Sequence, residues 1–173
     1  PFDGTHQLQA RQPALAVLQS SRPFAIWAGR DIGRVRRSNQ DHVASTLMTL
    51  PDGDQDIAFA LAVVADGMGG HMGGEIASQR AVESVMIAVL EHVALPALAN
   101  EDPGTAIPVL LTSAVQDANA RIWEEAQAQG TDMGTTCTAA LILEDHVYLA
   151  HVGDSRAYIL ADGRLRQITA DHS

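Results

Sequence analysis

The stretch Val63-Val64-Ala65-Asp66-Gly67-Met68-Gly69-Gly70-His71-Met72-Gly73-Gly74-Glu75 decides how this chain is read. Nine apolar residues, Ile57 to Ala65, lead into it without a break. That length suits a buried strand and falls well short of the ~20 residues that span a bilayer. The strand delivers a carboxylate, Asp66, at its end, and the glycines behind it let backbone approach an ion or ligand closely. Asp66 offers carboxylate oxygens and Gly67 a backbone carbonyl, the hard donors that Mg²⁺ and Mn²⁺ prefer. The bland alternative is a glycine-rich turn with a capping Asp. An Asp-x-Gly-x-Gly nucleotide loop fails on spacing, because Met68 stands where its first glycine is needed.

Outward from this stretch, composition predicts strands at Phe24–Ala28 and His42–Leu47. Pro51-Asp52-Gly53-Asp54 then turns the chain into the Ile57–Ala65 strand, completing a hairpin. Downstream, Val82, Val85, Met86, Val89 and Val93 follow the spacing of a helix that buries one face. A second helix is expected from Thr105 to Gln129, with Ile107, Leu110, Leu111, Ala114, Val115, Ala118 and Ile122 as its stripe, and Pro96 and the segment 100–104 separate the two. Short strands follow at Thr135–Leu143, His146–His151, Ser155–Leu160 and Leu165–Thr169, joined by Glu144-Asp145, Gly153-Asp154 and Asp162-Gly163, which predicts an antiparallel meander. Strands, two helices and strands again indicate an α+β domain. Residues 1–24, rich in Gln, Pro and Ser, read as an N-terminal extension with one helical turn at Ala14–Leu18, and 25–173 as the domain.

A formal charge of −10 and a pI near 4.9 argue against nucleic acid as a partner, since a polyanion is repelled by most of such a surface. All eleven basic residues are Arg, and Arg30, Arg34, Arg36 and Arg37 fall within eight positions. The single cysteine, Cys137, lies in an apolar stretch, which excludes a disulfide framework and suits a packed thiol in a reducing, cytoplasmic compartment. No basic start with an apolar run of signal type is present, and no membrane association is expected.

Two further constellations accompany the central one. In Gly33-Arg34-Val35-Arg36-Arg37-Ser38-Asn39-Gln40-Asp41, Arg36 offers a planar fork for two phosphate oxygens, and Asp41 stands ready to orient metal-bound water. Gly153-Asp154-Ser155-Arg156-Ala157-Tyr158, preceded by Met133-Gly134-Thr135-Thr136, reads by itself as a charged turn between strands.

In this order, the segments closely resemble the metal-dependent protein phosphatases of the type 2C (PPM) family in their bacterial form. The matching pieces are Gly33–Asp41, Val63–Ser78, Met133–Thr136, Gly153–Tyr158 and Ile168–Ser173. The resemblance implies an antiparallel β-sandwich with helices on both outer faces, four layers in the order αββα. It implies a two-metal site holding Mn²⁺ or Mg²⁺, with a third ion in such bacterial enzymes, and hydrolysis of phosphoserine and phosphothreonine esters by a metal-activated water. Asp66 would bridge both ions, the Gly67 carbonyl would bind one, Arg36 would hold the substrate phosphate, and Asp154 would serve the additional metal. Gln40 and Asp41 would act on the ions through water. The implied partners are phosphorylated proteins, substrates of a bacterial Ser/Thr kinase.

Three departures stand out. Gln40 replaces an acid that many members carry, which predicts weaker metal binding. Met68 stands where eukaryotic members have a His, and His71 reads as a structural loop residue rather than its replacement. The family pattern also continues past Ser173 into two more metal-binding Asp residues, so the chain is expected to hold the N-terminal two-thirds of a catalytic domain, truncated at its C-terminus. That leaves two competing readings: a non-catalytic phosphoprotein-binding module, and hydrolysis of a small phosphate metabolite at the same site. A sandwich lacking its closing strands is expected to expose apolar faces and to aggregate or dimerise.

Overall fold

Strand β1, Asp41–Asp52, pairs antiparallel with β2, Gln55–Gly69, in a register that sets Asp52 against Gln55 and Asp41 against Asp66. Both strands run longer than their apolar centres suggested. The fold is that of a computed structural model in which residues 25–35, 38–52, 55–70, 72–102 and 104–172 are described. The extension 1–24, with its expected helical turn, lies outside the described residues, as do Arg36 and His71.

Sheet order is β1-β2-β4-β5, where β4 is Cys137–Leu143 and β5 is His146–Val152. A short strand β3, Met133–Thr135, pairs with the far end of β2. One face of β2 carries Phe59, Leu61, Val63 and Ala65, all fully buried. Against it lies helix α1, Gly73–Val89, through Ala77, Ala81, Val85 and Val89, and α3, Ile107–Gln129, packs on α1 through Leu111, Ala114 and Ala118. Each fully buried Phe, Leu or Val contributes roughly 1.5–3 kcal/mol. The two stripes read from the sequence are therefore the two that are buried.

Helix α1 does not end at the apolar stripe. A π-helical turn, Leu90–Ala94, continues it into α2, Leu95–Leu98. Pro96 has no N–H for the carbonyl four residues back and its ring crowds that turn, so the backbone widens just before it rather than stopping. The continuous stretch Gly73–Leu98 is long and apolar enough to cross a membrane by length and composition, yet one side of it packs on β1 and β2.

Three expectations need correction. No strand forms at 25–28, where Trp27 is 88% exposed and no sheet edge is paired with it. The expected meander breaks after β5: β6, Tyr158–Ala161, and β7, Arg164–Gln167, form a separate two-stranded sheet around the turn at Asp162 and Gly163, both at positive φ. The expected Thr135–Leu143 strand divides at Thr136 into β3 and β4. The α+β class holds. Among the described residues the four expected layers reduce to one helical layer on one face of one large sheet, with the small hairpin beside it.

Candidate metal centre

A row of residues crosses one end of the large sheet. The β1–β2 register sets Asp41 opposite Asp66. The pairings of Gly67 with Thr135 and Val64 with Thr138 set Asp66 opposite Thr136, and that of Cys137 with Val152 sets Thr136 opposite Gly153. Asp41, Asp66, Thr136 and the Gly153-Asp154 turn thus follow one another across neighbouring strands.

Directly opposed residues on an antiparallel pair share a face, with Cβ atoms about 5 Å apart, and like charges there are destabilising. Two carboxylates so placed call for positive charge between them. Asp41, Asp66, Gly67 and Gln40 line one cavity of about 180 Å³, together with Asp31, Ile32, Ser38 and Asn39. Its donors are carboxylates, amides, a hydroxyl and backbone, the hard chemistry that suits Mg²⁺ or Mn²⁺. Among the described residues no group of three or more His, Cys, Asp or Glu gathers closely enough to hold an ion alone. The fit to a hard divalent cation is therefore good in kind, and the residues here would supply part of its coordination.

The cavity wall is made by backbone approaching backbone. A Cβ on Gly67 would lie 1.9 Å from the Gly74 carbonyl oxygen and 2.7 Å from that of Gln40, and one on Gly74 would lie 2.8 Å from the Gly67 carbonyl carbon. The end of β2 and the first turn of α1 meet only because both residues lack side chains. Gly67 N–H donates to the Gln40 carbonyl at 3.2 Å, extending the ladder one residue beyond Asp41. Ser78, fully buried on α1, donates its hydroxyl to the same Gln40 carbonyl at 2.5 Å and to that of Glu75 at 3.1 Å. With that proton committed, Ser78 Oγ accepts from His42 Nδ1–H at 2.9 Å. The Gln40 side chain donates to the Gly69 carbonyl at 3.4 Å. Upstream, Asn39 Oδ1 accepts from the Asp41 N–H at 2.9 Å, and Arg30 Nη1 donates to the Asp41 carbonyl at 2.7 Å.

The site residues read from the sequence are therefore only partly assembled. Gln40, Asp41, Asp66 and Gly67 come together. Asp154 is exposed and does not line that cavity; it sits on the neighbouring turn, after Gly153 at φ 105°. Arg36 lies outside the described residues. Met68 is 59% exposed beside Gly134. Sequence reasoning missed Asp31 and Asn39, which act through a local turn before β1, and His42 and Ser78, whose roles depend on strand-to-helix register; Ser78 closes the matched Val63–Ser78 segment and was the one within reach.

A family model described as Protein phosphatase 2C matches residues 29–173. The chain is 37% identical over 145 residues to the serine/threonine phosphatase stp of Listeria welshimeri serovar 6b, covering 83% of this chain and 52% of that one. It is 38% identical over 146 residues to the serine/threonine protein phosphatase PstP of Mycobacterium tuberculosis, covering 83% of this chain and 24% of that one. The chain thus spans about half, or less, of the length of these relatives. Among solved structures, the catalytic domain of PstP in complex with two manganese ions superposes with a TM-score of 0.62 at 36% identity, covering 82% of this chain and 53% of that one. Stp1 from Staphylococcus aureus gives a TM-score of 0.57 at 32% identity, covering 83% and 52%.

Proposed function

The chain belongs to the protein phosphatase 2C family, and from that premise we propose that it is part of a metal-dependent phosphatase acting on phosphoserine and phosphothreonine in proteins. The observation that carries this reading is the Asp41–Asp66 pair, two opposed carboxylates in a cavity beside a glycine that admits no side chain. Asp66 would be the central ligand and the carbonyl of Gly67 a second donor, Asp41 and Gln40 would act through water, and Asp154 would serve a further ion from the adjoining turn. The implied ions are Mn²⁺ or Mg²⁺. PstP, the relative crystallised with two manganese ions, supports that choice.

Two bound cations would supply an activated water and offset the charge that develops on the phosphate. The chain's own part is positional. Gly67, seated tightly against Gly74, forms part of the cavity wall, Ser78 and Asn39 fix the entry to β1, and Asp41 and Asp66 present oxygens from rigid paired strands rather than from loops. Arg36, in the basic run that precedes β1, is assigned to the substrate phosphate as a bidentate donor. No side-chain nucleophile is needed, in keeping with a buried Cys137.

Phosphorylated proteins, the products of a bacterial Ser/Thr kinase, are the proposed substrates, and the free cysteine supports a reducing, cytoplasmic setting. Comparing kcat/KM for a phosphothreonine peptide with that for a small sugar phosphate in Mn²⁺ tests the substrate class. Preference for the peptide supports the proposal. Preference for the sugar phosphate would move the assignment to metabolite hydrolysis, and binding of the peptide without turnover to a phosphoprotein-binding module.

A further inference from the structure

Resting on the metal-site reading above, we infer that Thr136 is a positioning residue whose hydroxyl ties Asp66 to the Gly153-Asp154 turn, so that the two metal-binding segments are held as one unit.

Thr136 stands opposite Asp66, where an unbroken antiparallel ladder has the two residues exchange both backbone bonds. Only one of these is made: Thr136 N–H donates to the Asp66 carbonyl at 2.9 Å. The Asp66 N–H donates instead to the Thr136 side chain, Oγ1, at 2.9 Å. A side-chain hydroxyl thus replaces a ladder bond at the position opposite the central carboxylate, which is why β3 and β4 are separate strands although their register is continuous. Thr135 reinforces the grip, its Oγ1 donating to the Asp66 carbonyl at 3.0 Å.

The same Thr136 hydroxyl reaches the other way. Its Oγ1 lies 2.7 Å from Ser155 Oγ, in the residue after Asp154. Thr136 is 2% exposed, and its methyl packs so closely on Gly153 that a Cβ there would sit 2.5 Å from Cγ2. One buried side chain therefore touches the backbone of Asp66 and both residues flanking Asp154. An ordinary ladder bond would secure Asp66 equally well; only the hydroxyl also secures the turn. Hydrogen-bonded partners of this kind, one step removed from the ion, affect metal affinity by about 10- to 100-fold.

The test is Mn²⁺ affinity of the 173-residue chain, read from the electron paramagnetic resonance signal of free Mn²⁺, with circular dichroism and melting as checks of folding. Thr136→Val, nearly isosteric and lacking the hydroxyl, is expected to bind Mn²⁺ at least about tenfold more weakly, and Thr136→Ser to restore binding to within about threefold of wild type. Amide exchange at Asp66 and at residues 153–155 should rise together in Thr136→Val. Ser155→Ala, on the turn and far less disruptive, should weaken binding in the same direction if Thr136→Val fails to fold. Wild-type affinity in the folded Thr136→Val chain, equal loss in Ser and Val, or exchange rising at Asp66 alone would overturn the inference while leaving the metal site intact. No difference between wild type and Asp66→Asn would overturn the metal-site reading itself, and this inference with it.

Discussion

A methyl group on Gly67 would fall 1.9 Å from the backbone oxygen of Gly74, a contact that only movement of β2 away from α1 relieves. Gly67→Ala is therefore expected to cost ~3 kcal/mol or more, measurable as a fall in the urea midpoint, and to abolish Mn²⁺ binding with it. Cys137 is 3% exposed, and burial pushes its thiol up to about 11. It should resist thiol reagents at pH 8 in the folded chain and react on unfolding. At this scale the sequence was most legible where chemistry and backbone demand coincide: an Asp at the end of an apolar strand followed by Gly pointed to the cavity that both residues line. Thr136 was not legible, because its role arises from a register set by residues 70 positions away in the chain. Asp31 and Asn39 were hidden for a different reason, acting through a local turn before β1 whose geometry no pattern of residue types prescribes.

Helix α3 ends at Gly130, at φ 62° with open space where a Cβ would go, and its N–H closes on the carbonyl of Gln127 at 3.3 Å. Gly130→Ala should cost about 1 kcal/mol from left-handed strain alone, with the metal site untouched; a shift in melting temperature without a change in Mn²⁺ affinity checks it. Periodicity made the helices readable, since Leu110, Leu111, Ala114, Ala118 and Ile122 are buried as their spacing demands. The β1–β2 hairpin was readable from the turn chemistry at 51–54. Pairing was less so. Strand-like composition at 25–28 found no edge, and Gly153, expected to turn β5 straight into a partner strand, instead directs the chain away at φ 105°, so the last hairpin pairs only with itself. Composition proposes strands, but only an available edge makes them.

Across the whole molecule, the helices cover one face of the large sheet. On the opposite face, which carries Asp66, Val64 and Val147 are 44% and 53% exposed, and no described helix packs there. Concentration-dependent self-association is expected, visible by light scattering between micromolar and millimolar chain; a monomer throughout would show the face to be covered. At the end of the described chain, Arg156 clasps Asp171 through two nitrogens, Nε to Oδ1 at 2.9 Å and Nη2 to Oδ2 at 2.5 Å, and His172 N–H donates to the Gly153 carbonyl at 2.8 Å. The guanidinium holds the Asp171 carboxyl below its ordinary value. The clasp is thus fully present above the ordinary aspartate range and lost as pH falls through the lowered value. Residues 168–172 should stay docked at pH 5 and release only as pH falls below the ordinary aspartate range, as reported by amide exchange at His172.

The account as a whole turns on Asp66 as the centre of a hydrolytic metal site. Its most direct test is Mn²⁺-dependent release of phosphate from a phosphothreonine peptide by this chain, with EDTA and Asp66→Asn as controls. The account predicts turnover that both controls abolish, with Asp66→Asn still folded. Turnover that survives Asp66→Asn, or that ignores EDTA, would contradict it.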